Sequence, residues 1–158
     1  MEFIDVINAR HSVRKYAETP VERETIDRII SVAQTAPSSK NSKSTGFMVI
    51  EDPDTLAAIS EMRDHGSALI RDARAAIVII GDTTKTDLWV ENCSISSTFV
   101  QLAATDLGLG SCWVHVHGRP RVRGNEDSGL AEDYIRDLLG IKPEFGVLCV
   151  IALGYPQE

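Results

Sequence analysis

AAIVIIG, residues 75–81, is apolar from its first residue to its closing glycine and offers no polar face to water. A strand of that composition is expected where both faces of a sheet are covered. GVLCVIALG, residues 146–154, is a second run of the same kind. Between them lies a long helical stretch, about 88–107, with Cys93, Ser96, Val100, Ala103 and Leu107 along one side. Ile95, Phe99, Leu102 and Asp106 lie near another side. A helix apolar over so much of its surface wants two packing partners, the sheet and a second subunit. Strands alternating with helices predict a central sheet with helices on both faces.

Outward from these runs, shorter strands are expected at GFMVI (46–50) and at Cys112–Val116. EFIDVIN (2–8) reads as an opening helix with Phe3, Ile4 and Ile7 on one face. In the next helix Thr19 stands as N-cap, Pro20 at the first helical position and Glu22 in capping-box spacing. Ile26, Ile29, Ile30 and Ala33 form its apolar stripe, and Pro37 stops it. Asp52 and Pro53 open a short helix through Met62. SGLAEDYIRDLLG (128–140) is a further helix, with Leu130, Tyr134 and Leu138 on one face and Gly140–Ile141 as a Schellman ending. PSSKNSKST (37–45) is a polar loop, and RPRVRGNEDSG (119–129) a flexible charged connection. No repeat or linker divides the chain, so residues 1–158 are expected to form one domain.

The 158 residues, 43% of them hydrophobic, suffice for a real core. A net charge of -7 argues against broad affinity for nucleic acid or an anionic membrane. No signal-peptide pattern opens the sequence and no apolar run reaches membrane-spanning length, so a cytoplasmic location is the default expectation. Cys93, Cys112 and Cys149 form no CxxC and read as buried, unpaired thiols. GLGSCW lacks the third glycine of a dinucleotide fingerprint and follows a helix rather than a strand. No Walker or GxSxG pattern is present. His115 and His117 share a face of an extended segment, but no third metal ligand lies near them in the sequence.

Against this acidic balance, RHSVRKY (10–16) concentrates Arg10, His11, Arg14 and Lys15 around Ser12. By itself the segment is either a solvated basic turn or a socket for a compact anion, since guanidinium forks match phosphate oxygens. Ser38, Ser39 and Asn41 in APSSKN are suited to hydrogen-bonding a polar ligand or a heterocycle edge. The small residues of GLGSCWV would let a flat group approach the backbone.

Taken in order, RHSVRKY, APSSKN, GFMVI, FVQLAATDLGLGSCWV and LLGIKPEFGVLCVIALGYP resemble the nitroreductase family of flavin enzymes, in its short members. The resemblance implies an α+β fold with a mixed central sheet flanked by helices. It implies a homodimer that binds FMN at the subunit interface and dimerises through the 88–107 helix. Arg10, His11, Ser12 and Arg14 match the segment that grips the FMN phosphate. Ser38, Ser39 and Asn41 match a loop that reaches the flavin from the partner subunit. Backbone amides of His115 and Val116 match donors near the flavin ring. The implied chemistry is ping-pong: hydride from NAD(P)H, then reduction of a nitroaromatic, quinone or similar small acceptor, with no protein nucleophile.

The pattern is not complete. Lys43, Ser44 and Thr45 stand where the family commonly has Gln, Pro and Trp, and Lys43 could still donate toward a flavin carbonyl. Many members carry a phosphate-binding Lys or Arg beyond the GYP motif, and Arg121 or Arg123 is a candidate replacement. A flavin-binding protein without efficient turnover, serving storage, sensing or delivery, is the alternative reading.

Overall fold

Residues 75–81 and 146–154 form neighbouring strands at the centre of a four-stranded sheet, in a computed structural model that describes residues 1–158. In chain order the elements are α1 (Phe3–Ala9), α2 (Arg23–Ala33), β1 (Thr45–Ile50), α3 (Pro53–Ser60), β2 (Ala75–Asp82), α4 (Trp89–Asp106), β3 (Gly110–His115), β4 (Pro120–Val122), β5 (Asn125–Leu130), α5 (Ala131–Leu139) and β6 (Phe145–Gly154). Short 3₁₀ turns occupy Ser39–Asn41 and Ala68–Asp72. The sheet order is β1-β2-β6-β3, with β4 and β5 a separate hairpin. None of the helices is long and apolar enough to cross a membrane.

All three pairings within the sheet are antiparallel, which corrects the expected mixed sheet. The parallel contact is a single bridge, Ser12 to Ser111. Continuous apolarity reports burial on two faces, and that is independent of strand direction. Ala76 and Val78 of β2, with Val150 and Ala152 of β6, face Leu56 and Ile59 of α3 and Ile135 of α5. The alternate residues Ile77 and Ile79, with Ile151 and Leu153, face Ile26 and Ile29 of α2 and Val100 of α4. Each of these large side chains contributes roughly 1.5–3 kcal/mol by leaving water.

Local signals account for some helix ends and not others. The Asp52 carboxylate accepts the Thr55 N–H at 2.9 Å, with Pro53 in the first turn of α3. Gly140 adopts φ 66° and the Ile141 N–H donates to the Arg136 carbonyl at 3.0 Å, closing the expected Schellman motif. The capping box at Thr19 does not form: α2 begins at Arg23, with Glu22 as N-cap and no side-chain cap bond. Val21 is drawn into the core instead, leaving Thr19 and Pro20 outside the helix. On α5 the buried residues are Ala131 and Ile135, while Leu130 and Leu138 are exposed. The charged connection 119–129 is not irregular; it folds into the β4–β5 hairpin. All three cysteines are buried and unpaired.

Two glycines seat the amino-terminal segment. Gly110 and Gly154 are partners across β3 and β6. A Cβ on Gly110 would lie 2.7 Å from the Val13 side chain, and one on Gly154 would lie 2.7 Å from the Tyr16 ring. Their bare backbones let Val13 and Tyr16 lie flat on the ends of these strands. Gly110→Ala is therefore expected to destabilise the protein by about 1–3 kcal/mol through overpacking. A urea midpoint equal to that of the wild type would show that Val13 does not rest on the strand.

Candidate active site

The RHSVRKY segment leaves α1 in extended backbone and runs along the edge of the sheet. The Val13 N–H donates to the Ser111 carbonyl at 2.9 Å, and the Ala17 N–H to the Tyr155 carbonyl at 2.8 Å. The Gln157 N–H closes the ladder onto Lys15 at 3.1 Å. The Tyr16 hydroxyl donates back to the Val13 carbonyl. With Val13 and Tyr16 anchored inward, Ser12 and Arg14 are left exposed and Arg10 half-buried. His11 folds back, its Nδ1 2.9 Å from the Ala9 carbonyl at the end of α1. Arg10 and Arg14 take part in none of the chain's ion pairs. Burial pushes the Cys112 thiol up, against the opposing pull of the Arg14 guanidinium and the Ser12 hydroxyl beside it.

β3 is an outer strand, so only half its backbone groups find partners in β6. The Ser111 carbonyl points outward to Val13, and the Val116 N–H points inward to the Leu148 carbonyl at 3.0 Å. Alternation between these two fixed points turns the amides of Trp113 and His115 to the open edge. The amide expected of Val116 is thus already engaged, which corrects that residue's assigned role. His115 keeps its own amide free.

A β-bulge causes the change at this point. Ile79 pairs with Cys149 and Ile80 with Val147, leaving Leu148 as the extra residue of β6. Its carbonyl accepts both the Val116 and the His117 N–H, at 3.0 and 3.1 Å, and ends β3 immediately after His115. The Trp113 indole donates to His115 Nδ1 at 3.2 Å, and the two rings lie nearly parallel at 15°. Indole is only a donor, so the neutral His115 ring carries its proton on Nε2. Burial lowers the His115 pKa, and neighbouring Arg119 adds to that shift. His117 points elsewhere, with Nδ1 3.0 Å from Glu132 and its ring edge-on to Trp89.

The loop carrying Ser38, Ser39, Asn41 and Lys43 lies before β1, at the opposite edge of the sheet from β3. Three strand spacings, about 14 Å, separate the two edges. Within one chain the structure therefore does not bring these residues to Arg10, Ser12, Arg14 and His115. The loop is held in an unusual shape, with Lys40, Asn41 and Lys43 at φ 50°, 53° and 49°. The buried Asn92 of α4 compensates. Its Oδ1 accepts the Ser39 N–H at 2.9 Å, and its Nδ2 reaches the hydroxyls of Ser39, Ser42 and Ser44 at 3.3, 3.2 and 3.0 Å. The Ser38 hydroxyl accepts the Lys43 N–H at 3.0 Å. Lys43 Nζ turns to the Gln34 and Ala36 carbonyls, at 3.5 and 3.4 Å. Asn41 is tied through its backbone N–H, to the Ser38 carbonyl at 3.0 Å, while its side chain and that of the exposed Lys40 make no hydrogen bond.

Arg121 is also committed to the fold. It donates to the Glu61 and Met62 carbonyls at 2.9 and 3.3 Å and stacks 4.0 Å above the Tyr134 ring. It pins the β4–β5 hairpin rather than standing free for a ligand. On the outer side of α4, an apolar groove of about 600 Å³ runs between α1, α2 and α4. Phe3, Val32, Phe99 and Leu102 line it, and Phe3 is 68% exposed although the opening helix forms as expected.

The family model described as "Nitroreductase family" matches residues 7–65 and 59–155. The chain belongs to the nitroreductase family. A solved structure of an FMN-dependent nitroreductase from Clostridium difficile R20291 is 39% identical, with a TM-score of 0.93, covering 98% of this chain and 88% of that one. A Methanothermobacter thermautotrophicus protein with the provisional name NADH dehydrogenase/NAD(P)H nitroreductase is 35% identical over 162 residues, covering 100% of this chain and 79% of the relative. An Archaeoglobus fulgidus protein of the same provisional name is 34% identical, covering 99% and 87%.

The tie from Asn92 is the feature that residue patterns missed. An amide on the sheet-facing part of an apolar helix was its available signal. Asn92→Ala is expected to release the loop, raising amide exchange at residues 39–44 at least tenfold and costing about 1–3 kcal/mol. Unchanged exchange there would mean that the loop holds its shape unaided.

Proposed function

We propose that this chain is an FMN-dependent oxidoreductase that takes reducing equivalents from NAD(P)H and passes them to a small nitroaromatic, quinone or similar acceptor, in two half-reactions. The observation that carries the reading is the open edge of β3. The basic segment is bonded to it at Ser111, and the free His115 amide stands four residues further on. That interval is about 13 Å of strand, enough for a ligand with a phosphate at one end and a flat ring at the other.

The residues present fit such a group. The buried Ser111 hydroxyl has no hydrogen-bond partner and sits beside Ser12. The Trp113 and His115 amides face outward without strand partners. Arg10 and Arg14 hold the phosphate through guanidinium forks, and Ser12 adds a hydroxyl donor. The His115 amide donates to the ring edge, and the Trp113–His115 pair walls that end of the site. When bound, FMN supplies the two-electron relay between donor and acceptor. No protein nucleophile is needed. The similarity to an FMN-dependent nitroreductase over 98% of the chain supports the same cofactor here.

The reading includes a homodimer of this single domain. Its support is the apolar groove on α4, together with the sheet-width separation between the two halves of the site. Asn41, whose side chain makes no hydrogen bond within its loop, would then meet the cofactor held by the partner's β3 edge. Light scattering at micromolar concentration is expected to give twice the chain mass. A monomer there would contradict the shared site.

The direct test is purification without added flavin. The protein should be yellow, or become so with FMN, and its visible band should bleach under anaerobic NADH or NADPH and return with a quinone or nitroaromatic. Colour that neither nicotinamide bleaches would overturn the oxidoreductase reading in favour of a flavin carrier. Arg14→Ala should weaken FMN affinity about tenfold or more, read by flavin fluorescence, since hydrogen bonds to charged groups contribute ~1.5–3 kcal/mol.

A further inference from the structure

We propose that Arg63, Arg119 and Arg123 form, with His115, an anion-recognition site at the far end of the β3 edge, where it selects substrates that carry a carboxylate or phosphate. The proposal rests on the cofactor reading above, which brings the substrate to that edge. The β4–β5 hairpin assembles the cluster. The Asp64 N–H donates to the Arg121 carbonyl at 2.8 Å, and the Arg123 N–H to the Asp64 carboxylate at 3.0 Å, holding residues 61–64 against the hairpin. The Arg119 N–H turns back to the Val116 carbonyl at 3.1 Å, which keeps it within reach of His115. The Arg63 guanidinium, half-buried, reaches the outward-facing His115 carbonyl at 3.4 Å.

Arg121 beside them has a structural task, gripping two carbonyls and an aromatic ring. Arg63 makes one such bond, to the His115 carbonyl, and the side chains of Arg119 and Arg123 make none. None of Arg63, Arg119 and Arg123 enters any of the seven ion pairs, in a chain with 23 acidic residues against 16 Lys and Arg. The one carboxylate close to Arg63 is that of Asp64, already held by Arg123's backbone. Burial, and then the proximity of Arg119, depress the Arg63 pKa, with Asp64 opposing and Arg123 adding to the shift, so the cluster carries repulsion that Asp64 offsets only in part. An anion placed among these groups relieves both costs. The His115 ring, neutral and protonated on Nε2, lies close to Arg119 and Arg63. The basic segment at Ser111 lies four residues away along the strand, so this is a second cationic locus and not part of the first.

Two sources of anion are chemically equivalent here: a carboxylated acceptor, or the extra phosphate of NADPH. The FMN-loaded protein is tested with 4-nitrobenzoate against neutral 4-nitrobenzyl alcohol, and with NADPH against NADH. In Arg63→Gln/Arg119→Gln the preference in kcat/KM for the anionic member of one pair should fall about tenfold or more, the contribution of a charge-assisted hydrogen bond. Loss in the acceptor pair identifies a carboxylate ligand, and loss in the nicotinamide pair a phosphate. Arg119→Gln alone, an exposed side chain that makes no hydrogen bond, should shift the same ratio in the same direction. Ratios unchanged in both pairs overturn the proposal. Calorimetric titration of pyrophosphate into wild type and double variant reads the site without turnover. Weaker binding in the variant supports it even where the protein takes up no FMN, and equal binding rejects it.

Discussion

Burial of β2 and β6 on both faces is the constraint on which the rest of the structure depends. Neither strand has a polar face, so neither can form a sheet that meets water on one side. Helices must cover both surfaces, and α2 with α4 on one side and α3 with α5 on the other satisfy that demand. Once the centre is covered, polar chemistry is confined to the sheet's edges, where backbone groups lack strand partners. The candidate site lies along one of those edges for that reason.

The edge is shaped by two small irregularities. Gly110 and Gly154 remove the side chains that would hold the basic segment away, so Val13 and Tyr16 pack inward and Arg14 stays exposed. At the other end, the bulge at Leu148 turns its carbonyl onto Val116 and His117 and stops the ladder after His115. Without that bulge the strand would continue its pairing. The bulge also reverses the apparent inside and outside of β6, since Leu148 and Cys149 both face α2 and α4.

Much of the fold was legible because burial leaves a compositional trace. The runs 75–81 and 146–154, the α4 stripe, the Asp52–Pro53 start and the Gly140 stop all correspond to structure. The failures have a common cause in tertiary contacts that override local preference. Thr19, Pro20 and Glu22 have capping-box spacing, yet Val21 gains more from the core than the first turn would from a cap. Leu130, Tyr134 and Leu138 have helical spacing, yet α5 docks through Ala131 and Ile135, and Tyr134 instead donates its hydroxyl to the Ala58 carbonyl at 2.8 Å. At the site, the concentration of Arg10, Ser12 and Arg14 in one segment was legible from residue types alone. Which amide of the His115–Val116 pair faces outward was not, because strand phase is set by a bulge that no residue type announces.

Charge distribution gives the edge its chemical character. A chain with net charge -7 repels small anions at long range, and screening confines that repulsion to about 10 Å at moderate salt. Binding an anion then depends on local cations that are not neutralised by their neighbours. Arg10 and Arg14 at one end of β3, and Arg63, Arg119 and Arg123 at the other, are such cations. The solvent-exposed Arg23 and Arg71 and the half-buried Arg136, by contrast, are matched with carboxylates. Cations outside the ion pairs thus stand at both ends of the strand whose free amides face outward, one set beside the basic segment and the other beside the hairpin.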